Sequence, residues 1–293
     1  MCGIYGITEK NKKWVKSYID KCHYRGPDMN QIYMDDYITL GHNLLSITDV
    51  PSLGIQPWKT PKGNILVYNG EIFNYKELCK KYKNFKPKTK CDTELLAWGL
   101  DEFGIEFINQ IDSQHAFAFW LPNKKLIFLS RDHAGIKPLY YSIINGTLVF
   151  GSEARGLLDI VPTSRNIDMT ALSCWNICGL NVTSNSFFKG IKKLMSGETL
   201  KFDVKTKKLK QVKRDIILGG KGLNFSSEEF RDTFDKTIQE SLIGTRPIGV
   251  FLSGGLDSSM ISYHANKYLK QNTFTNHIMP CPVDPNEDYN SDS

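Results

Sequence analysis

The sequence predicts an α+β fold in which two β-sheets pack together with helices outside them, followed by the opening of a separate α/β domain. The first observation is a series of short alternating or apolar runs before about residue 200, bounded by turn residues as strands are. The runs are CGIYGI, YITLGHNLLSI, NILVYNGEIF, HAFAFWL, KLIFLS, PLYYSI and TLVFGS. The second is that helical patterns in this half are few, at 11–24, 74–82, 92–109 and 168–178. Strands grouped in this way favour two packed sheets.

The third observation is a change of pattern at Ser226. Ser226 and Glu229 form a capping box, and an apolar stripe follows at helical spacing from Phe230 to Leu242. Residues 248–269 then have the pattern of a buried strand, a glycine-rich turn and a helix. This order is typical of the start of an α/β domain.

A polar segment separates the two patterns and ends in GGKG. GGKG lacks the full spacing of a phosphate-binding P-loop, so the segment is interpreted as a connector. We therefore predict a first domain at 2–202, a linker at 203–225 and the beginning of a second domain at 226–293.

The composition excludes several classes of protein. The 293 residues contain no apolar run near the ~20 residues that a membrane-spanning helix needs. The 37 basic and 31 acidic residues give a net charge of +6 and are scattered, so we expect no binding to nucleic acid or membranes. The seven cysteines, an odd number at irregular spacing, predict reduced thiols and a cytoplasmic location.

Cys2 is the first candidate catalytic residue. Once Met1 is removed, its thiol lies beside a free α-amino group whose ordinary pKa of about 7.7–8.0 suits a general base. Nucleophile and base then come from one residue. A cysteine at this position can also be incidental, but Gly3 and Gly6 permit close packing around the thiol and favour a function.

Two further candidates have two interpretations each. Asn69 and Gly70 follow an apolar strand, where an amide and a backbone N–H could converge on an oxyanion. The same dipeptide is also the strongest short signal for a hairpin turn. Asp92 is either the N-cap of a helix or a buried carboxylate that binds a substrate ammonium group. The residues alone leave both pairs of alternatives open.

The segment Ser253–Ser259, SGGLDSS, follows a buried strand and precedes a helix. Backbone N–H groups of a glycine turn and hydroxyls at a helix N-terminus form a cradle for an anion. The segment lacks the lysine of a P-loop, so it suits a pyrophosphate leaving group better than transfer of a γ-phosphate. Metal ligands stay unassigned, because Cys174 and Cys178 lack the second pair of a zinc site.

With these motifs in order, the sequence resembles the glutamine-dependent asparagine synthetases. The N-terminal MCGIYGI is similar to the nucleophile strand of that family, and RPIGVFLSGGLDSS is similar to its pyrophosphate loop. The intervening matches are HYRGPD, GHNLLSITDV, YNGEIFN, CDTELL, AFAFW, RDHAGIKPLYY, GSEARGLL and FFKGIKKLMSGETLKF. The resemblance implies an N-terminal nucleophile (Ntn)-type αββα glutaminase sandwich and the truncated start of an α/β PP-loop ATP pyrophosphatase domain.

The resemblance implies that the first domain hydrolyses glutamine. Cys2 would attack the side-chain amide, while Asn69 and Gly70 would hold the oxyanion. Glu71 and Asp92 would bind the substrate's ammonium group. The site would also be lined by the backbone of Leu44, Leu45, Ser46, Ile47 and Thr48.

The resemblance further implies that ammonia reaches a second chamber inside the protein. There it would convert ATP-activated aspartate into asparagine, with AMP and pyrophosphate as the other products. ATP and Mg²⁺ are the implied cofactors, glutamine and aspartate are the other small-molecule partners, and a homodimer is one expectation for the assembly. The nucleotide site would comprise Leu252, Ser253, Gly254, Gly255, Asp257 and Ser258.

Three departures from the family pattern affect these expectations. Leu44 replaces the arginine that would pair with the glutamine α-carboxylate, which leaves Arg25 or Lys59 as candidate substitutes. Ser113 and His115 stand where glycine and phenylalanine are usual. The sequence also stops soon after the pyrophosphate loop, before the aspartate-site motif of the family.

Three functions therefore remain in competition. The leading hypothesis is an asparagine synthetase homologue with a whole glutaminase half and a truncated synthetase half. The second is a remnant that only hydrolyses glutamine or binds a nucleotide or partner without catalysis. The third is a glutaminase that supplies ammonia to a separate synthetase chain.

Overall fold

The computed structural model describes residues 1–47, 50–213, 226–268 and 272–274. The chain divides into two compact units, Met1–Gly219 and Gly220–Ser293. The strands of the first unit are β1 Gly3–Ile7, β2 Met29–Met34, β3 Thr39–Leu44, β4 Trp58–Lys59, β5 Ile65–Ile72, β6 Ser113–Leu121, β7 Leu126–Arg131, β8 Tyr140–Ile144, β9 Thr147–Gly151, β10 Lys192–Lys193, β11 Glu198–Asp203 and β12 Lys208–Lys213. Its helices are α1 Lys12–Lys21, α2 Tyr75–Lys81, α3 Asp92–Phe103, α4 Ala154–Leu157 and α5 Met169–Cys178.

The described strands of the first unit form two six-stranded antiparallel sheets. One has the order β10-β8-β9-β1-β3-β2, and the other has the order β12-β11-β7-β6-β5-β4. In the first sheet, β1 is an inner strand that pairs with β3 through Gly3–Asn43 and with β9 through Tyr5–Gly151. In the second sheet, β5 pairs with β6 from Ile65–Trp120 to Ile72–Ser113. Strands β1 and β5 contact each other where the two sheets face.

Three apolar layers hold the first unit together. Between the sheets, Ile4 and Leu40 of one sheet join Val67 and Trp120 of the other in a core cluster. Because side chains alternate across a strand, neighbours of these residues point outward and meet helices. A second cluster joins β5 and β6 to α2 and α3, and a third joins β1 to α1 and α4. The order of layers is therefore helix, sheet, sheet, helix.

Two predicted helices are shorter than expected. The helix expected at 11–24 is α1, which begins after Asn11, whose side chain accepts a hydrogen bond from Trp14 N at 3.1 Å. A 3₁₀ turn, His23–Arg25, follows it. The helix expected at 92–109 ends as α3 at Phe103, because Gly104 has a φ of +69°, which favours glycine. A 3₁₀ segment covers the rest.

The expected linker at 203–225 is wrong in its first part. Residues 208–213 form β12, which pairs with β11 along its length, from Asp203–Lys208 to Glu198–Lys213. KLKQVK is a short alternating segment that is rich in lysine. Such a segment is typical of an exposed edge strand, but its composition is also that of a polar connector. Residues 214–225 lie outside the described part of the chain.

The second unit has the expected order of elements. Helix α6 is Ser227–Ser241, and Ser226 caps it by accepting a hydrogen bond from Glu229 N at 3.2 Å. Strand β13, Gly249–Phe251, leads into α7, Leu256–Ala265, and pairs in parallel with β14, Asn272–Phe274. Across the described residues of both units, no helix is both long enough and apolar enough to cross a membrane.

Candidate active site

Cys2 lies immediately before β1 and lines a pocket of the first unit. Its Sγ accepts a hydrogen bond from Leu45 N at 3.4 Å and donates one to Leu45 O at 3.6 Å. Burial raises the pKa of the Cys2 thiol, while the Leu45 backbone and the positive chain terminus act in the opposite direction. The thiol is therefore the resting form, and a nucleophilic reaction requires a base that removes its proton.

The backbone of Cys2 is fixed by a buried arginine. Arg25 Nε donates to Cys2 O at 3.1 Å, and Arg25 Nη1 forms an ion pair with Glu153 at the same distance. Arg25 is only 8% exposed. Two nitrogens of the guanidinium are thus bonded to Cys2 O and Glu153, Nη2 has no partner among the described residues, and Arg25 does not line the pocket.

Asn69 and Gly70 lie inside β5, opposite Ala116 and His115 of β6. The hairpin-turn interpretation of this dipeptide is therefore wrong. Asn69 is buried, and its Nδ2 has no hydrogen-bond partner among the described residues. A Cβ at position 70 would lie 2.4 Å from Gln114 O, so only glycine fits there. An unpaired buried amide facing the Cys2 pocket is available to a ligand oxygen.

Asp92 is the first residue of α3, and Cys91 is the N-cap. The N-cap interpretation of Asp92 is therefore wrong. The Asp92 carboxylate accepts hydrogen bonds from Tyr68 OH at 2.8 Å and from Ile72 N at 2.9 Å, both on β5. Glu71 lies beside it. Burial is the main cause that raises the pKa of both carboxyl groups, and the proximity of Asp92 raises that of Glu71 further.

The pocket collects the predicted residues of the first domain that are described. Those residues are Cys2, Leu44, Leu45, Ser46, Ile47, Asn69, Gly70, Glu71 and Asp92. Thr48, which was also predicted, lies outside the described residues. Lining residues that sequence reasoning did not single out are Met1, Gly54, Gln56, Tyr68, Cys91, Thr93 and Lys137.

The backbone of Tyr68, which precedes Asn69, is held by the additional residue Gln56 and by His42, which does not line the pocket. Gln56 Oε1 accepts a hydrogen bond from Tyr68 N at 2.6 Å, and Gln56 Nε2 donates to Thr93 Oγ1 at 3.3 Å. On the other side, His42 Nε2 lies 3.2 Å from Tyr68 O. Burial lowers the pKa of His42 to about 3, so the ring is neutral and donates from Nε2 to that carbonyl. No spacing pattern in the sequence connects these residues, because their relation comes from the packing of two sheets.

Lys137 is the lysine of the pocket. It lies in the turn between β7 and β8, where Asp132 accepts hydrogen bonds from Ile136 N at 2.9 Å and Lys137 N at 3.1 Å. Burial lowers the pKa of Lys137, while Asp132, Cys2 and Glu71 act in the opposite direction. The other candidate cation, Lys59, lines a separate groove with Trp58 and Trp98. Neither cation suggested by the sequence therefore lines this pocket.

The predicted nucleotide loop lies in the second unit, between β13 and α7. Ser253 Oγ and Ser258 Oγ are 3.1 Å apart, and Gly255 N donates to Ser253 Oγ at 3.4 Å. Gly254 has a φ of +82°, which favours glycine. Hydroxyls and backbone N–H groups suit a phosphate, although here they bond to one another. The described residues contain no cluster of three metal-binding side chains, and Asp257 is the one carboxylate of the loop.

Comparison with known families identifies the first unit. Residues 1–213 match the family described as the glutamine amidotransferase domain, a match that covers most of the chain. The chain belongs to the glutamine amidotransferase family. Residues 229–292 match the family described as asparagine synthase. The two matches occur in the order that the sequence motifs predicted.

Individual relatives confirm the resemblance to asparagine synthetases. Asparagine synthetase [glutamine-hydrolyzing] 2 of Bacillus subtilis is 32% identical over 94% of this chain and 41% of its own length. Asparagine synthetase B of Escherichia coli is 29% identical over 92% of this chain and 45% of its own. A putative asparagine synthetase of Methanocaldococcus jannaschii is 30% identical over 89% and 56%. The chain thus spans about half the length of these relatives.

Solved structures confirm the fold class. Glutamine phosphoribosylpyrophosphate amidotransferase from B. subtilis, complexed with ADP and GMP, matches with a TM-score of 0.51 and 14% identity. The match covers 94% of this chain and 65% of that one. A second structure, of an allosteric regulatory enzyme of purine biosynthesis, gives a TM-score of 0.52 at the same identity. At this identity the likeness shows the layered α+β fold alone and carries no further conclusion.

Proposed function

We propose that the first unit hydrolyses glutamine to glutamate and ammonia, with Cys2 as the nucleophile. The observation that carries this proposal is the unpaired Nδ2 of buried Asn69, which lines the same pocket as the Cys2 thiol. A buried donor without a partner is costly, and an oxyanion formed during attack would satisfy it. Membership of the amidotransferase family supports the same reaction.

The reaction proceeds in two balanced stages. After removal of Met1, the Cys2 α-amine accepts the thiol proton and Sγ attacks the side-chain carbonyl carbon of glutamine. Asn69 Nδ2 and Gly70 N–H hold the resulting oxyanion. As the C–N bond breaks, the ammonium form of the α-amine returns the proton to the leaving nitrogen and ammonia departs. Water then hydrolyses the thioester, which releases glutamate and restores the thiol.

The acidic side of the pocket orients the substrate. The carboxylates of Glu71 and Asp92 bind the α-ammonium group of glutamine, because a cation offsets the cost of burying two like charges. Tyr68 OH and Ile72 N hold the Asp92 carboxylate in place. Leu44, Leu45, Ser46 and Ile47 line the pocket beside them, and Thr48 continues this segment in sequence.

The proposal for the second unit is the ATP-dependent formation of asparagine, in which ammonia attacks an activated aspartate. The match of 229–292 to the asparagine synthase family and the printed names of the relatives support it. Ser253, Gly254, Gly255 and Ser258 would receive the phosphates of ATP, with Leu252 beside the nucleotide. Asp257 alone cannot hold Mg²⁺, which would arrive with the phosphates. A homodimer and a cytoplasmic location belong to the same proposal.

A second candidate function is glutamine hydrolysis alone, with ammonia supplied to another chain or released. The observation that favours it is the exposure of apolar side chains in the described part of the second unit. Phe251 is 85% exposed, Leu256 76% and Tyr263 69%. Acyl-adenylate chemistry needs covered, dry surroundings, and the described residues of the second unit do not supply them at this loop.

The decisive experiment follows glutamate release from glutamine by the purified chain. Cys2→Ala should reduce the rate by at least about a thousand-fold, as loss of a nucleophile does. Cys178→Ala, at an exposed thiol of α5, is the matched control and should leave the rate unchanged. Unchanged hydrolysis by Cys2→Ala would refute the proposal. Mass spectrometry of the active protein must also show that Met1 is absent, or the α-amine cannot be the base.

A parallel assay separates the two candidate functions. The chain is supplied with amide-¹⁵N-labelled glutamine, aspartate, ATP and Mg²⁺, and the products are analysed for labelled asparagine. Labelled asparagine and an equal amount of pyrophosphate support the synthetase proposal. Labelled ammonia without asparagine supports glutamine hydrolysis alone.

A further inference from the structure

The pocket must accommodate both charges of its substrate. Glutamine carries an α-carboxylate as well as an α-ammonium group, and Leu44 offers no donor to a carboxylate. Burying a carboxylate without a partner is unfavourable by several kcal/mol. Among the residues that line the pocket, all in the described part of the chain, Lys137 alone has a cationic side chain. The chain-terminal amine, the other cation nearby, is assigned to proton transfer.

Lys137 is available for this task. Its ammonium group takes part in no hydrogen bond or ion pair within the described ranges, although the side chain is partly buried. Arg25 differs, because its Nε and Nη1 are bonded to Cys2 O and Glu153, and because it does not line the pocket, so its unpaired Nη2 does not face a ligand there. A partly buried cation without a partner, facing a ligand pocket, is the electrostatic counterpart of the unpaired amide of Asn69.

The position of Lys137 is fixed independently of any ligand. Both carboxylate oxygens of buried Asp132 accept backbone hydrogen bonds from the turn, one from Ile136 N and one from Lys137 N. Arg131 Nε also donates to Lys137 O at 2.8 Å. The backbone of Lys137 is therefore anchored on both sides, and the flexible side chain can adapt its ammonium group to a carboxylate.

We propose that Lys137 binds the α-carboxylate of glutamine and so replaces the cation missing at Leu44. This inference rests on the proposed glutaminase function and adds a specificity-determining residue to its pocket. Glu71 and Asp92 then hold the α-ammonium group while Lys137 holds the α-carboxylate. The two charges of the substrate would distinguish glutamine from simple amides.

The alternative role for Lys137 is electrostatic support of the Cys2 thiolate. The two roles predict different kinetics, because carboxylate binding acts on KM and thiolate stabilisation acts on kcat. They also differ toward 4-aminobutanamide, which is glutamine without its α-carboxylate. An ammonia-release assay can follow both substrates.

The test compares Lys137→Met with the wild type and with Lys59→Met, a matched control in the other groove. For glutamine, Lys137→Met should raise KM about 10- to 100-fold, between the effects of exposed and buried ion pairs, with kcat little changed. For 4-aminobutanamide, kcat/KM should stay within about twofold. Leu44→Arg in the Lys137→Met background should recover much of the lost affinity. Lys59→Met should resemble the wild type.

Two results would overturn the inference. One is an unchanged KM for glutamine in Lys137→Met, and the other is an equal fall in kcat for both substrates, which would assign Lys137 to the thiolate. Calorimetric titration of glutamine into Cys2→Ala, with and without Lys137→Met, separates this inference from the proposed function. Lys137-dependent binding without hydrolysis by the wild type would refute only the proposed function, and no detectable binding would refute both.

Discussion

The two units of the chain present their functional residues in opposite ways. The pocket of the first unit is assembled from segments far apart in sequence, including the start of β1, the end of β3, β5, α3 and the turn before β8. The loop of the second unit is one continuous stretch, Leu252–Ser258. The continuous loop is easy to find in the sequence. The assembled pocket is harder to find, but its burial strengthens the electrostatic interactions of its polar groups.

The difference extends to how polar groups are satisfied. In the loop, Ser253 and Ser258 bond to each other and to the adjacent backbone, and Ser253 is exposed to solvent. In the pocket, the Asn69 amide lacks a partner within the described residues, and the Lys137 ammonium takes part in no described bond. A polar group without a partner that also lines a pocket is available to a ligand. The pocket of the first unit is therefore the stronger candidate binding site.

The largest expected difference between the units concerns stability. Phe117 is fully buried in the core between β6 and the helices, whereas Phe251 is 85% exposed. Phe117→Ala should lower the free energy of unfolding by about 3–5 kcal/mol. Phe251→Ala should change the free energy of unfolding by no more than about 0.5 kcal/mol.

The sequence offers a convenient probe for this prediction. All five tryptophans precede residue 176, so tryptophan fluorescence during urea unfolding reports on the first unit. A loss of several kcal/mol in Phe251→Ala by this probe would show that the exposed aromatic stabilises the first unit, and the contrast between the units would fail.

The next largest effect concerns catalysis by the first unit. Asn69→Ala should lower kcat for glutamine hydrolysis by about 10²- to 10³-fold, because it removes one oxyanion donor. KM should change little, because the donor acts on charge that develops after binding. Ser253→Ala, the corresponding removal of a polar group from the loop, should leave glutamine hydrolysis unchanged. Equal effects of the two substitutions would mean that the loop participates in the first reaction.

Much of this organisation could be predicted from the sequence. Short apolar runs predicted the strands, because both faces of each sheet are covered and outward residues such as Tyr5 and Phe117 are as buried as inward ones. Short motifs also indicated Cys2, Asn69 and Asp92, because each carries a distinctive chemical group near a predicted strand or helix end. The residues alone did not show that they share one pocket. The family resemblance implied it, and the packing of β1 against β5 brings them together.

The features that were missed depend on tertiary contacts. Lys137 lies in the motif RDHAGIKPLYY, but that motif did not assign it to the site, and the anchoring of its turn by Asp132 holds it at the pocket. Gln56 and His42 hold the backbone of Tyr68 from different parts of the chain. Strand β12 was missed because a short edge strand rich in lysine has the composition of a connector.

The smallest expected effect tests whether ionisation of the Glu71 carboxyl group in the pocket destabilises the folded protein. Burial raises the pKa of Glu71 above its ordinary value of about 4.3. Between that value and the folded-state pKa, the folded protein therefore binds more protons at this site than the unfolded chain. By linkage, this group makes stability fall as pH rises through the window.

Glu71→Gln removes the ionisable group, so it should stabilise the protein by about 1 kcal/mol at the alkaline end of the window and by less at pH 5. Glu77→Gln, at an exposed position of α2, is the control for the loss of one negative charge and is compared with Glu71→Gln at each pH. Urea unfolding followed by tryptophan fluorescence at several pH values measures the difference. A stabilisation that is constant or shrinks with rising pH would mean that Glu71 is not held against its ionised form, and that the pocket needs no substrate ammonium to balance it.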